Sequence, residues 1–332
     1  MPTNQSQRIV FRGKQEVEIE SFDLPKPDPA QVRIRCQCSL MSTGTENIVF
    51  NRLFDKGTHW DNWAKYPFYP GYAACGMIEE IGSEVQNLQV GDCVVYRSGH
   101  SSHTVTNANS CYPVPTGIPL EQAVWFALAK IAFHGANAAH YRLGDSVLII
   151  GAGPIGQMSL RWARAAGAMT ILVADPVDAR ASITMQGGAS AYLASPAGEA
   201  RDAILQANGD HLPDVVIDST GHPAVFTAAL DLAAPKGRVV VMGDTGQPAR
   251  QTLTSDVMIK GLTITGAHDS HQIPGWDQAA ITRLFFNLVQ DDRFSLKGLN
   301  THNFLPKDCM EAYTTANRDR AQTMGILFDW KA

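Results

Sequence analysis

The spacing of apolar residues changes once along the chain, and the change divides it. Up to about residue 118 the apolar runs are short and broken by turn signals, as in "VEIESFDLPKPDPAQVRIRC", "CGMIEEIGSEV", "GDCVVYRSG" and "CYPVPTG". That pattern predicts a mostly β region. Phe54 to Tyr72, "FDKGTHWDNWAKYPFYPGY", has no period and is rich in aromatics, Gly and Pro. It reads as a long loop of the kind that carries function. From residue 119 the character changes. "PLEQAVWFALAKIAFHGANAAH" is Ala-rich and predicts a helix. "DSVLIIGAG", "MTILVAD", "DVVIDSTG", "GRVVVMG" and "GLTITGA" then read as buried strands, with helices between most of them. Uniformly apolar strands alternating with helices predict a parallel sheet covered on both faces. After Ala267 one helix, "GWDQAAITRLFFNLVQ", precedes a tail ending "MGILFDW". The expected fold is α/β: a β-rich domain from 1–118 and 268–332, and a parallel-sheet domain from 119–267.

Composition narrows the partners. Of 332 residues, 45% are hydrophobic and 18% charged, the balance of a globular chain with a substantial core. The net charge of −5 and the lack of a dense Lys/Arg run argue against nucleic acid or an anionic membrane as partner. No stretch approaches the roughly 20 apolar residues of a membrane span. The start, "MPTNQSQRIVF", lacks the apolar core of a leader, so a cytoplasmic location is expected. Cys36, Cys38, Cys75, Cys93, Cys111 and Cys309 are scattered. Cys36 and Cys38 would share a strand face, conceivable as a metal or redox pair, with reduced core thiols as the plainer reading.

"VLIIGAGPIGQ" places Gly151-x-Gly153-x-x-Gly156 after a buried strand and at the start of a helix. That context gives the motif its mechanism. Gly151 permits a tight turn, Gly153 lets backbone approach a pyrophosphate, and Gly156 lets helix and strand pack. Phosphates would sit on the helix N-terminus, at Pro154 and Ile155. Asp175 follows Gly156 by 19 residues, where an acid would hold the ribose 2′-hydroxyl of NAD and repel a 2′-phosphate. Arg180 is the nearest Arg after it. The expected cofactor is NAD, with Ser219, Thr220 and Gly243 completing its site.

The β-rich front, the Rossmann centre and the short return tail resemble the medium-chain dehydrogenase/reductase superfamily of the zinc alcohol dehydrogenase type. "PGYAACGMIEEIGSEV", "VGDCVV", "GDSVLIIGAGPIG" and "KGRVVVMG" carry the likeness over nearly the whole chain. The resemblance implies a GroES-like substrate domain, a Rossmann NAD domain, and a dimer or tetramer joined through the edge strand Gly261 to Ala267. "STGTE" with "PGY" is similar to the branch holding bacteriochlorophyllide hydroxyethyl dehydrogenases and sugar-cluster dehydrogenases. Zinc enzymes of the superfamily take ligands from a Cys, a His and a third Cys or His. At those positions this chain carries Ser42, Tyr72 and Ala127 or a neighbour. Catalytic zinc needs about three protein ligands, so no metal is expected.

Something must then take the alcohol proton and hold the oxygen. Glu46 is a candidate base, or else caps the helix begun by "ENIVF" or pairs with a basic neighbour. Lys130, a charge in an apolar helix, is a candidate for the same site, or a residue snorkelling to solvent. A Glu46/Lys130 pair helped by Tyr72 is the expected replacement, with Ser42 beside it. Thr43, Thr45, His59, Trp60 and Trp63 are candidates to contact substrate. His100, His103 and His134 receive the plainer reading of solvated side chains. The expected activity is zinc-independent, NAD-dependent oxidation of a secondary alcohol, such as a sugar, cyclitol or other polyol. A hydroxyethyl-chlorophyllide substrate, a quinone or enone reductase, and a non-catalytic nucleotide-binding protein stand as alternatives.

Overall fold

The computed structural model describes residues 5–331; the first four, part of the stretch read above for a leader, lie outside them. Two compact units divide the chain. One runs up to Leu53 and takes in Asp61–Ala127 and the chain from Lys297 on; the other is Phe54–Trp60 with Leu128–Leu296.

Strands fall in three groups along the chain. The front holds β1 (Gln5–Gly13), β2 (Glu16–Asp23), β3 (Gln31–Leu40), β4 (Ala74–Ile81), β5 (Cys93–Tyr96), β6 (His103–Asn107) and β7 (Cys111–Pro113). The centre holds β8 (Ser146–Ile150), β9 (Thr170–Ala174), β10 (Ala191–Leu193), β11 (Val215–Asp218), β12 (Arg238–Val241) and β13 (Thr263–Gly266). The return holds β14 (Asn300–Phe304) and β15 (Gly325–Asp329).

In the first unit β1 and β2 form a hairpin, and the larger sheet runs β14-β15-β3-β4-β5-β7 with β6 also on β3. Alternate residues of β3 point inward, and Val32, Ile34, Cys36, Cys38 and Leu40 are all buried. Phe11, Phe50, Tyr313 and Phe328 pack as an aromatic cluster, with Phe11 and Tyr313 edge to face at 4.9 Å. Cys36, Cys38 and Cys75 are free and buried, and Cys38 Sγ lies 3.0 Å from Cys75 Sγ. Burial pushes the Cys75 thiol well above its ordinary range, which suits a core thiol rather than a thiolate nucleophile or metal ligand.

The second unit has six parallel strands in the order β10-β9-β8-β11-β12-β13. Numbered from β8, that is the 3-2-1-4-5-6 order of a doubly wound dinucleotide fold. Successive residues of each strand serve opposite cores. Leu148, Ile150, Val216 and Val239 enter one; Val147, Ile149, Val215, Ile217 and Val240 enter the other. The unbroken apolar runs therefore reflect burial on both faces.

The domain boundaries differ from those expected. The break falls between Ala127 and Leu128, inside the helix Phe126–Ala139, not at 118/119. The expected single helix is interrupted, with a short turn of helix at Leu120–Ala123 before it. Residues 268–296 belong to the nucleotide unit rather than to the β-rich one. Aromatic packing explains this: Trp162 meets Phe133 at 5.2 Å and Phe294 at 4.9 Å, and Phe294 meets Phe285 at 5.4 Å. Part of the supposed loop also joins that unit. Asp55 N–H donates to Gly246 O at 2.9 Å, and His59 Nε2 lies 2.8 Å from Asp244 Oδ2. That stretch holds a short helix, His59–Trp63. No helix among the described residues is long and apolar enough to cross a membrane.

Candidate functional site

The nucleotide turn follows directly from β8. Gly151 has φ of +95°, a left-handed conformation that strains any residue with a Cβ. A Cβ on Gly156 would lie 1.8 Å from Gly151 O, so only glycine lets the helix Pro154–Ala165 start this close to the strand. Gly153 caps that helix and Pro154 opens it. This leaves the N–H groups of Ile155 and Gly156 without intrahelical acceptors, a ready site for phosphate oxygens. Asp175, 5% exposed, directly follows β9. Its Oδ2 accepts from Ala152 N–H at 2.7 Å and Arg180 Nη1 at 3.0 Å, and its Oδ1 accepts from Val177 N–H at 2.9 Å. Asp175 thus braces the turn, and Oδ1 keeps acceptor capacity for a ribose hydroxyl. These residues fit a dinucleotide.

Ser219 and Thr220 lie against Gly151, and Gly243 packs on the Thr220–Gly221 backbone. Ser219 Oγ–H donates to Ile150 O at 2.8 Å. Thr220 Oγ1–H donates to Asp218 Oδ1 at 2.7 Å. A Cβ on Gly243 would lie 1.9 Å from Gly221 N. Asp218, which sequence reasoning missed, is buried at the end of β11; burial raises its pKa and Oδ2 has no hydrogen-bond partner.

The other candidate cluster lies in the first unit, on the turn between β3 and the helix Thr45–Asn51. Tyr72 O–H donates to Ser42 Oγ at 2.5 Å. Burial raises the Tyr72 phenol above its ordinary range, against the lowering effect of Ser42, Thr45 and Arg97. The Arg97 guanidinium stands 5.3 Å from the Tyr72 ring centroid. Ser42 is 6% exposed and Thr43 is partly exposed.

Glu46 faces inward, 1% exposed. Its Oε1 accepts from Ser42 N–H at 2.7 Å. Its Oε2 accepts from Tyr313 O–H at 2.5 Å and lies 3.0 Å from His100 Nε2. His100 Nδ1 reaches Ser39 Oγ at 2.7 Å, which also accepts from Trp330 Nε1–H at 3.0 Å. Because indole only donates, a neutral His100 would accept the Ser39 hydrogen and donate from Nε2 to Glu46. This corrects two expectations. Glu46 is a bracing carboxylate with three donors on it, and His100 is buried rather than solvated. His103 is partly buried, with its pKa lowered by that burial. The chain offers no short-range signal for the Glu46 network: Tyr313 and His100 lie 267 and 54 residues away.

Lys130 also takes a partner other than the one expected. Its Nζ donates to Asp269 Oδ1 at 2.8 Å, within the nucleotide unit. Among the loop candidates, Trp60 is 4% exposed and Trp63 is 53% exposed, edge to face with Phe68. His59 is committed to Asp244.

The residues at the implied zinc positions do not fit that metal. Zinc takes thiolate, imidazole or carboxylate donors. Ser42 offers a hydroxyl already engaged by Tyr72, burial keeps the Tyr72 phenol neutral, and Ala127 is a fully buried residue with no donor atom. Among the described residues no group of three His, Cys, Asp or Glu is placed to hold a metal ion.

Comparison with known proteins agrees with the architecture. Residues 28–120 match the alcohol dehydrogenase GroES-like domain, and residues 154–282 match the zinc-binding dehydrogenase family. The second description mentions zinc, yet Ser42, Tyr72 and Ala127 all lie outside the residues it matches. L-threonine 3-dehydrogenase of Bacillus subtilis strain 168 is 26% identical, over 79% of this chain and 81% of that protein. Sorbitol dehydrogenase of Ovis aries is 24% identical, over 96% and 95%. The NADH complex of an alcohol dehydrogenase from E. coli CFT073 superposes with a TM-score of 0.82 at 19% identity, covering 98% of this chain and 99% of that one. A GroES-like β-rich unit joined to a dinucleotide-binding parallel sheet defines the class, and the chain belongs to the medium-chain dehydrogenase/reductase superfamily.

Proposed function

We propose that the chain is an NAD-dependent alcohol dehydrogenase in which the Tyr72–Ser42 hydroxyl pair stands in for zinc. The observation that carries this reading is the 2.5 Å hydrogen bond joining two of the three implied ligand positions. Ser42 Oγ accepts the Tyr72 proton and keeps its own hydrogen to donate. In the reducing direction Ser42 passes its proton to the carbonyl oxygen and takes the Tyr72 proton, leaving a phenolate near Arg97 that regains a proton from solvent. In the oxidising direction the same transfers run backwards: the alcohol proton goes to Ser42 Oγ as Ser42 hands its own to a Tyr72 phenolate, and because burial raises the Tyr72 pKa that direction gains with rising pH. Glu46 is a positioning residue here, since it fixes the Ser42 backbone and its oxygens are engaged by Ser42 N–H, Tyr313 and His100. When bound, the nicotinamide supplies the hydride acceptor or donor.

NAD is favoured over NADP because Asp175 is an acid at the ribose position and Arg180 is already matched by it. That weighs against a quinone or enone reductase, since such members of the superfamily commonly use NADPH. The substrate class we assign is a secondary alcohol of the sugar, cyclitol or polyol kind. Two relatives carry names for dehydrogenating sorbitol and L-threonine, both of which bear a CH–OH group. A homodimer through β13 accompanies this reading. Leu253, Met258 and Ile259, 66%, 88% and 79% exposed, lie next to that edge strand in the chain and need covering. The test is NAD reduction over a panel of sugars, cyclitols and simple secondary alcohols. Silence across the panel with intact NADH binding would overturn the dehydrogenase reading.

A further inference from the structure

Cys38 and Cys75 stand opposite one another on the antiparallel strands β3 and β4. Opposed residues of such a pair have Cα atoms about 4.5–5.5 Å apart, inside the range that a disulfide spans. Both side chains are buried in the first unit, 2% and 0% exposed. Their sulfurs are 3.0 Å apart, and both thiols are free. Cys36, two residues earlier on β3, does not compete for this place. It faces Gly76, which has no side chain to meet it, and a register shift separates it from Cys38. Cys93 is exposed on β5, and Cys111 Sγ–H donates to Asn107 O at 3.6 Å.

The pair also brackets the hydroxyls. Cys38 precedes Ser42 by four residues, and Cys75 follows Tyr72 by three. A bond between the two sulfurs would close residues 39–74 into a loop whose ends carry the Tyr72–Ser42 hydrogen bond. Making it draws the sulfurs together by about 1 Å, since a disulfide is about 2.0 Å long. The strand ends shift with them, and a misplacement of about 1 Å at a reacting group can cost about 100-fold in rate.

We propose that Cys38 and Cys75 form a redox modification site, joined as a disulfide by a peroxide or another small two-electron oxidant, and that the bond turns down the chemistry at Ser42 and Tyr72. With hydrogen peroxide, Cys38 Sγ takes one oxygen as a sulfenic acid and a first water leaves. Cys75 Sγ then displaces that oxygen, which departs with the Cys75 proton as a second water. The two thiols lose two electrons and the peroxide gains them. Contact between the sulfurs makes the second step intramolecular. Burial slows the first step, and it shelters the finished bond from reductants in the same way. The effect on rate rests on the hydroxyl-pair reading, whereas the bond itself does not.

The test is peroxide treatment of the intact protein, alkylation of the remaining thiols under denaturing conditions, and peptide mass mapping. A Cys38–Cys75 cross-link, two hydrogens lighter than the reduced peptides, is expected, with Cys36 alkylated. Recovery of Cys38 and Cys75 in alkylated form only, or a cross-link through Cys36 instead, overturns the proposal. NAD reduction with the same samples reads the effect on rate. In the cross-linked protein kcat should fall by about tenfold or more while NADH affinity is unchanged. Cys75→Ala, which cannot form the bond, should keep its rate through the same treatment. A cross-link that leaves kcat unchanged overturns the control of rate. Absence of turnover before oxidation overturns the dehydrogenase reading and with it the effect on rate, while the mass map still decides the bond.

Discussion

The Gly151–Gly156 turn and the Ser42–Glu46 turn each follow a strand and open a helix, but they are held in place differently. The first is held by backbone. Its glycines are required by a φ of +95° at Gly151 and a Cβ clearance of 1.8 Å at Gly156. The second is held by side chains that arrive from far along the sequence: His100 and Tyr313 on Glu46, and Tyr72 on Ser42. A backbone device can be written in six residues. A side-chain device depends on the whole fold, and its members can change role without changing position.

The largest effect is expected on the backbone side. Gly156→Ala places a methyl group against Gly151 O and should abolish NADH binding, measured by fluorescence enhancement, with a loss of stability. On the side-chain side Tyr72→Phe should lower kcat by about 100-fold or more while leaving NADH affinity unchanged, since one proton donor is lost. Activity within a few-fold of wild type would remove Tyr72 from the chemistry. Glu46→Gln should lower unfolding stability by about 1–3 kcal/mol, because one of two buried oxygens that accept hydrogen bonds becomes an amide N–H2 that cannot. The shape of its pH–rate profile should not change, whereas loss of an ionisation limb would restore Glu46 as the base. Asp175→Ser should narrow the preference for NAD over NADP by roughly tenfold, read from the ratio of kcat/KM values.

The smallest effect concerns pH. Burial raises the phenols of Tyr72, Tyr96 and Tyr313, and that of Tyr192 to about 12. The folded state therefore holds these protons more tightly than the unfolded chain, where tyrosine titrates near about 10. Their contribution is complete below that value and is lost as pH rises toward the folded pKa values. The buried thiols of Cys36, Cys75, Cys111 and Cys309 are raised in the same way and titrate near about 8.5 in the unfolded chain, so Tm should begin to fall near pH 8 and fall more steeply above pH 10. A Tm that climbs through that range would contradict these shifts.

The same contrast explains what the sequence could show. The alternation Val147, Leu148, Ile149, Ile150 already implies a strand buried on both faces, and the structure assigns its residues to two cores in turn. The glycine motif was readable because its spacing is local. The fate of residues 268–296 was not, because it is decided by Phe294, packed on Phe285, meeting Trp162, which lies more than a hundred residues earlier. Lys130 stands out in the sequence as a charge in an apolar helix, but its partner Asp269 is 139 residues away. His134 gave no sign at all: an isolated His in a helix looks the same whether it is solvated or buried without a partner.

Replacement of the metal by hydroxyls is best checked by NAD reduction with EDTA-dialysed protein whose zinc content is measured on the same sample. Turnover without bound zinc, unchanged when zinc is added, is expected. Turnover that disappears with EDTA and returns with zinc would contradict it, and would mean that Ser42 and Tyr72 do not occupy the positions assigned to them.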